Sequence, residues 1–117
     1  MGAAMADILN LTPDAVTVSA VGPASLKETV EVTGYESADL VLMVLKLTAS
    51  ASVTVEMETS MQLNVGWVSL GEFTAVTAAD GAEKKRFSGL LRYLRWRVSS
   101  LTTAASATFM IQGMIRT

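Results

Sequence analysis

One stretch of the chain, Val53 to Met61, alternates between apolar and polar side chains. Valine or methionine occupies every second position up to residue 57, with threonine and glutamate between them. Because an extended backbone turns successive side chains to opposite faces, this string predicts a strand with one buried and one solvent-facing side. The same period of two recurs from about residue 14 to the C terminus, and no long segment keeps a helical period. The sequence therefore predicts an all-β protein.

Turn-forming residues divide the chain into about eight short strands, a pattern typical of sandwiches and jelly rolls. We predict an antiparallel, jelly-roll-like β-sandwich over residues 12–117 and a small, apolar N-terminal arm over residues 1–11. Within the domain, a bulge is expected at Gly71, and Ala78 to Gly81 is expected to form a hairpin-type turn in which the glycine takes the positive φ. The predicted strands are Ala15–Val21, Leu26–Thr33, Leu40–Leu47, Val53–Met61, Trp67–Phe73, Glu83–Ser88, Arg92–Ser99 and Ala107–Ile115.

The segment from Leu40 to Leu47 differs from the other strands because nearly every position is apolar. It is either buried on both faces, or has one face on the core and the other on a partner. A mean hydropathy of +0.42 is high for a small domain and favours apolar surface that other subunits cover. Five of the seven methionines lie within the domain, at Met43, Met57, Met61, Met110 and Met114. They are either adaptable core filler or part of a contact surface.

Charge is unevenly distributed along the chain. Residues 1–83 hold all 11 acidic residues and two lysines, whereas residues 84–117 hold seven basic residues and no acid. Opposite charges could face each other across neighbouring strands, or one copy could present a positive edge to a negative edge of the next.

Leu90 to Val98 has the leucine and arginine content of a helix, which is the main alternative to a strand there. A basic group with aromatic residues interleaved raises the further alternative of a nucleic-acid surface; it comprises Lys84, Lys85, Arg86, Arg92, Arg95 and Arg97, with Tyr93 and Trp96. Tyr93, Trp96 and Val98 favour a strand. Trp96 has the parity of the core, and the isoelectric point near 5.0 opposes nucleic-acid binding. We predict a strand and no nucleic-acid partner.

Catalytic and metal-binding residue types are scarce, because the chain has no histidine and no cysteine. Glu56 and Glu58 are the best carboxylate pair, but they are expected to form a solvated strand face. Calcium ligands could come from Asp14, Asp39 or Asp80, although no spacing typical of a calcium loop supports them. We predict no enzymatic activity, no cofactor and no metal. The longest apolar run is too short for a bilayer, so no membrane partner is expected.

A resemblance begins at Gly66-Trp67-Val68-Ser69-Leu70-Gly71-Glu72-Phe73-Thr74. It continues through the turn at residues 78–81 and the strand Arg92-Tyr93-Leu94-Arg95-Trp96-Arg97-Val98, and ends in Thr108-Phe109-Met110-Ile111. Over roughly residues 40–115 the chain resembles a family of small β-sandwich structural proteins of tailed bacteriophages. The resemblance implies a virion protein, assembled in the host cytoplasm, that decorates or cements the capsid.

The expected partners are other virion subunits, the major capsid protein foremost, together with further copies of the chain itself. The expected contacts are the arm, the second face of residues 40–47 and a basic edge. The residues expected in these three contacts are Met5, Ile8, Leu9, Met43, Leu45, Tyr93, Arg95 and Arg97. The alternative is a carbohydrate-binding jelly-roll module, which would need exposed aromatic rings; Tyr35, Tyr93 and Trp67 are the candidates.

Overall fold

A computed structural model describes residues 6–117, which form two packed antiparallel sheets. The alternating segments become strands because each can bury one face against the other sheet. The ten strands in this range are β1 (Ala6–Asn10), β2 (Val16–Val18), β3 (Gly22–Pro23), β4 (Val30–Glu31), β5 (Ser37–Leu47), β6 (Val53–Ser60), β7 (Val68–Glu72), β8 (Gly81–Ser88), β9 (Tyr93–Leu101) and β10 (Ala107–Arg116).

Each sheet contains five strands in the described range, two of which pair with the same edge of a third. In sheet A, β1 and β2 share one edge of β10, which is followed by β5 and then by β8 at the other edge. In sheet B, β3 and β4 share one edge of β9, which is followed by β6 and then β7. The first described strand thus pairs with the last, and the prediction of an antiparallel β-sandwich is confirmed, with ten strands in the described range where about eight were predicted. Residues 6–117 contain no helix long and apolar enough to cross a bilayer.

Aromatic side chains join the two sheets at the core. Trp96 of β9 and Phe109 of β10 meet edge to face, with ring centroids 5.2 Å apart. Phe73, just after β7, meets Phe87 of β8 at the same centroid distance. Such pairs add about 0.5–1.5 kcal/mol beyond the burial of their area. Trp96 has the inward parity that the sequence predicts and is 4% exposed.

Strand β6 has the buried and solvent-facing sides that its alternation predicts. Val53, Val55 and Met57 are fully buried, and Glu56 between them is partly exposed. Opposite Met57, the pairing of β6 with β7 passes from Gly71 directly to Ser69. The extra residue confirms the bulge predicted at Gly71.

The prediction of a strand over Leu26–Thr33 is wrong for the first half of that segment. Residues Leu26–Glu28 form a short 3-10 helix, and only Val30–Glu31 pairs with β9. The backbone N–H groups of Glu28 and Thr29 donate to carbonyl oxygens three residues earlier, so they are not available to a neighbouring strand. Leu26, which the alternation places inward, is 67% exposed.

The N-terminal arm predicted over residues 1–11 needs correction at residues 6–11, which belong to sheet A. β1 pairs with β10 from Ala6 opposite Arg116 to Asn10 opposite Gln112. Leu9 and Leu11 bury their side chains in the core, and that burial stabilises the strand pairing. The rest of the predicted arm lies outside the described residues.

The segment over residues 78–81 joins the two sheets, since β7 lies in sheet B and β8 in sheet A. It is therefore not a hairpin between paired strands. Asp80, at φ 70°, takes the positive φ in place of Gly81. Aspartate tolerates this left-handed region better than most residues with a side chain.

Candidate functional site

The solvent side of sheet A carries an apolar centre. Leu40, Leu42 and Ile111 turn into the core, so the alternate residues of β5 and β10 face outward. Strand register places Met110 opposite Met43, and Met114 between Ile8 and Asp39. We call this surface outer face A; its apolar residues are Ile8, Val41, Met43, Met110 and Met114.

A shallow groove of about 460 Å³ runs over outer face A. Ile8, Val41, Met43 and Met114 line it together with polar Asn10 and Gln112. Ile8 is 86% exposed and Met114 is 39% exposed. Contiguous apolar side chains on the solvent side of a sheet mark a surface that is usually covered by another molecule.

Close approach of two backbones shapes the same region. Gly113 of β10 also lines the groove. A Cβ atom at this position would lie 1.9 Å from the carbonyl oxygen of Asp39 and 2.9 Å from the Cα atom of Leu40. Only glycine permits β10 and β5 to pack this closely, because a side chain would collide with backbone that cannot rotate away.

Asp39 lies under two arginines at one end of outer face A. Arg86 donates from Nε (2.7 Å) and Nη2 (3.0 Å) to its carboxylate, and Arg116 donates from Nε at 2.8 Å. These hydrogen bonds, Arg86 foremost, hold the pKa of Asp39 well below its usual range, and the carboxylate raises the pKa of Arg86. Asp39, one of the three calcium candidates, is thus an ion-pair partner. Residues 6–117 contain no cluster of three acidic side chains able to hold a metal ion.

This ion-pair cluster has more positive than negative charge and remains open to solvent. The Asp39 side chain is 10% exposed, whereas those of Arg86 and Arg116 are 59% and 44% exposed. Lys84 lies opposite Val41, and Lys46 lies opposite Thr108, on the same side of the sheet. We call the four cations the basic rim of outer face A: Lys46, Lys84, Arg86 and Arg116.

The solvent side of sheet B differs, because two of its arginines are paired with glutamates. Arg95 of β9 donates to Glu58 of β6 at 2.8 Å and lies 3.9 Å over the centre of the Trp67 ring. Glu58, which was expected in a solvated face, is only 8% exposed. Arg92 in turn covers the Tyr93 ring at 5.0 Å and pairs with Glu31. Opposite charges therefore face each other across neighbouring strands, as one of the two charge hypotheses expected.

A third feature is the loop between β6 and β7. Ser60 is fully buried, and its hydroxyl lies 2.7 Å from the carbonyl oxygen of Gln62 and 2.8 Å from that of Val65. The Ser60 hydroxyl also accepts a 3.0 Å bond from the Gln62 N–H. Nearby, Trp67 Nε1 donates to the Leu63 carbonyl. These bonds fix a loop that exposes apolar side chains, with Val65 60% exposed.

The predicted contact residues do not form one surface. Ile8, Met43 and Leu45 belong to strands of sheet A and are exposed or half-buried, with Leu45 41% exposed. Leu9 turns inward and is 8% exposed, so its side chain is not available for a contact. The remaining predicted contact residues of the described chain lie on the opposite side of the sandwich and are Tyr93, Arg95 and Arg97. Met5 lies outside the described residues.

Sequence reasoning missed several members of outer face A. The basic rim was not singled out as a contact, and Val41 and Met114 were not placed beside it, because that proximity follows from strand register. One signal was present: methionines at residues 110 and 114 share the outward parity of β10. That parity could have placed them beside Met43.

Together these features define an all-β sandwich with one apolar, basic-rimmed face and one ion-paired face. No family model matches the chain, and no curated protein matches it. Among solved structures, its fold is similar to that of the SPBc2 prophage-derived protein YomS. The match covers 100% of this chain and 97% of that chain, with a TM-score of 0.57 and 10% sequence identity. A likeness at this identity shows a shared fold.

Proposed function

We propose that this chain is a non-enzymatic structural subunit of a tailed-phage particle, acting as a capsid decoration or cement protein. The observation that carries the proposal is the exposed apolar groove of outer face A, on a domain whose other face carries two ion pairs. The similar sandwich of a prophage-derived protein and the resemblance to phage structural proteins both support it.

The energetics of outer face A favour a partner. Val41 and Met43 are only half-buried although β5 is a central strand of the sheet, and Ile8 on the edge strand β1 is almost fully exposed. Covering each of these side chains would contribute about 1–2 kcal/mol. One such contact is weak, but many copies on a symmetric shell would hold tightly by avidity. The proposed partners are neighbouring virion subunits, with the major capsid protein first.

The carbohydrate-binding alternative is less well supported. A sugar ring would stack on an open aromatic face, but Arg95 covers Trp67 and Arg92 covers Tyr93. Binding a glycan there would require each guanidinium to leave its ring and its carboxylate partner. The geometry therefore favours protein binding.

The test is to find the chain in purified particles. We would purify particles of the phage or prophage that encodes the chain, quantify the chain by mass spectrometry, and locate it with gold-labelled antibodies. The proposal expects many copies per particle on the head surface. Particles that lack the chain would refute the proposal, and labelling confined to the tail would refute the decoration role.

Deletion of the coding sequence gives a second readout. Particles assembled without the chain should release their DNA at lower temperature than wild-type particles, because a cement subunit ties neighbouring shell proteins together. Equal thermal release from both kinds of particle would contradict a cementing role.

A further inference from the structure

We infer that outer face A binds an acidic protein surface and not the same face of a second copy. This inference rests on the proposed function and specifies the chemistry of the partner. It is drawn from the charge that surrounds the groove, from the geometry of the arginine pair and from the size of the face.

The arginine pair is arranged to receive a carboxylate. Asp39 fixes both guanidiniums in place, and with its pKa held far below neutrality it stays ionised. Arg116 uses only Nε to bond Asp39, and its two terminal amino groups make no hydrogen bond within residues 6–117. One carboxylate between two guanidiniums leaves a net positive charge next to the apolar groove. A partner carboxylate beside an apolar side chain would satisfy both features.

Charge argues against packing two copies of outer face A against each other. A twofold contact would bring the basic rims of both copies together, since the same patch is used on each side. Lys46 and Lys84 have no carboxylate within 4.0 Å in the described part of the chain, and Asp39 is already paired twice. Like charges across such an interface oppose association, whereas an acidic partner would be attracted from a distance.

The size of the face also fits attachment to an array. Four strand lanes and the ten residues of β10 give a surface of roughly 600 Å². A stable pair of proteins typically buries about 800 Å² on each side. A face of this size therefore suits a contact repeated over many subunits.

Binding to particles that lack the chain tests the inference. We would add purified chain to particles assembled without it and measure co-sedimentation over a range of chain concentrations and at 2 salt levels, low and high (about 0.05 and 0.3 M). The charge variant is Lys84→Glu, and its matched control is Lys27→Glu, the same change in the 3-10 helix outside sheet A. The apolar variant is Val41→Thr, with Val68→Thr on exposed β7 as control.

The expected result separates the contribution of charge from that of apolar contact. Lys84→Glu should weaken binding about fivefold at low salt, since a rim attraction becomes a repulsion. Val41→Thr should weaken it about tenfold, because a hydroxyl would be buried in an apolar contact. Both controls should bind within about twofold of wild type. High salt should weaken wild type more than Lys84→Glu.

The failures of the two proposals are distinguishable. Wild-type chain that does not bind the particles refutes the proposed function, and this inference with it. Wild-type binding that Lys84→Glu and Val41→Thr leave intact refutes this inference alone. Self-association in sedimentation equilibrium that Val41→Thr abolishes would overturn it in favour of a second copy. Binding to phosphatidylglycerol vesicles that Lys84→Glu abolishes would overturn it in favour of a membrane. Circular dichroism of all variants checks that they fold.

Discussion

Replacing Asp39 by asparagine removes one negative charge from the ion-pair cluster without changing the size of the side chain. The carboxylate accepts three hydrogen bonds from Arg86 and Arg116, at 2.7, 3.0 and 2.8 Å. The amide offers one acceptor oxygen and turns an NH₂ group toward a guanidinium, where two donors would face each other. The two arginines would then repel across a site that nothing neutralises.

The expected loss of stability is moderate because the arginines are about half exposed. Hydrogen bonds to charged groups contribute about 1.5–3 kcal/mol each when well shielded. Solvent screening at Arg86 and Arg116, 59% and 44% exposed, reduces that contribution. We expect a total loss of about 2–3 kcal/mol in the free energy of unfolding at pH 7, or a fall in Tm of about 8–12 °C for a domain of this size.

The loss should depend on pH in a defined direction. The pKa of Asp39 is depressed in the folded state, so its stabilisation is fully present above the unfolded value, near 3.8, and is lost as pH falls below it. The gap between wild type and Asp39→Asn should therefore be constant from about pH 7 to pH 5 and shrink below about pH 4.

Urea unfolding followed by circular dichroism measures both effects, since urea does not screen charges. Asp80→Asn is the matched control: Asp80 is exposed, and its φ of 70° is one that asparagine tolerates. The control should lie within about 0.5 kcal/mol of wild type. A stability of Asp39→Asn equal to that of the control at pH 7 would refute the cluster's role. A gap that persists unchanged at pH 3 would refute the pKa argument.

Two further substitutions test other features. Gly113→Ala should cost about 2–3 kcal/mol in urea unfolding, because its Cβ atom would meet the Asp39 carbonyl oxygen, whereas Gly81→Ala, with no atom within 4 Å, should be close to neutral; equal values would contradict the close approach of the two strands. Ser60→Ala should cost about 1–2 kcal/mol and increase hydrogen exchange at Gln62, whose N–H bonds the Ser60 hydroxyl; unchanged exchange there would show that other contacts hold the loop.

The sequence predicts the long strands well because their burial follows from local alternation. Val53, Val55 and Met57 alternate with polar residues and are buried as expected. Trp96 is likewise placed correctly by its neighbours' parity. Alternation misleads at Leu26 because the backbone there bonds locally within a 3-10 turn, and three residues are too few to distinguish a turn from a strand.

The candidate site depends on pairings that the sequence does not contain. Asp39 meets Arg86 and Arg116 only because β5 lies between β8 and β10, so an acid that could have been a metal ligand is an ion-pair partner. Glu58 has the outward parity of a solvated residue, yet it pairs with Arg95, which in turn lies over the Trp67 ring. Such contacts are set by register between strands distant in sequence, which no local pattern specifies.

The pairing of β1 with β10 has a consequence for biosynthesis. Residues 6–10 pair with residues 112–116, and β5 pairs with the other edge of β10, so sheet A lacks an interior strand until β10 has been translated. A nascent chain stalled before residue 107 would lack β10. The strand that carries Leu9 would then have no partner, and the core would lack Phe109. We expect sheet A to assemble only after β10 has left the ribosome, with chaperones shielding the unpaired strands in the interval.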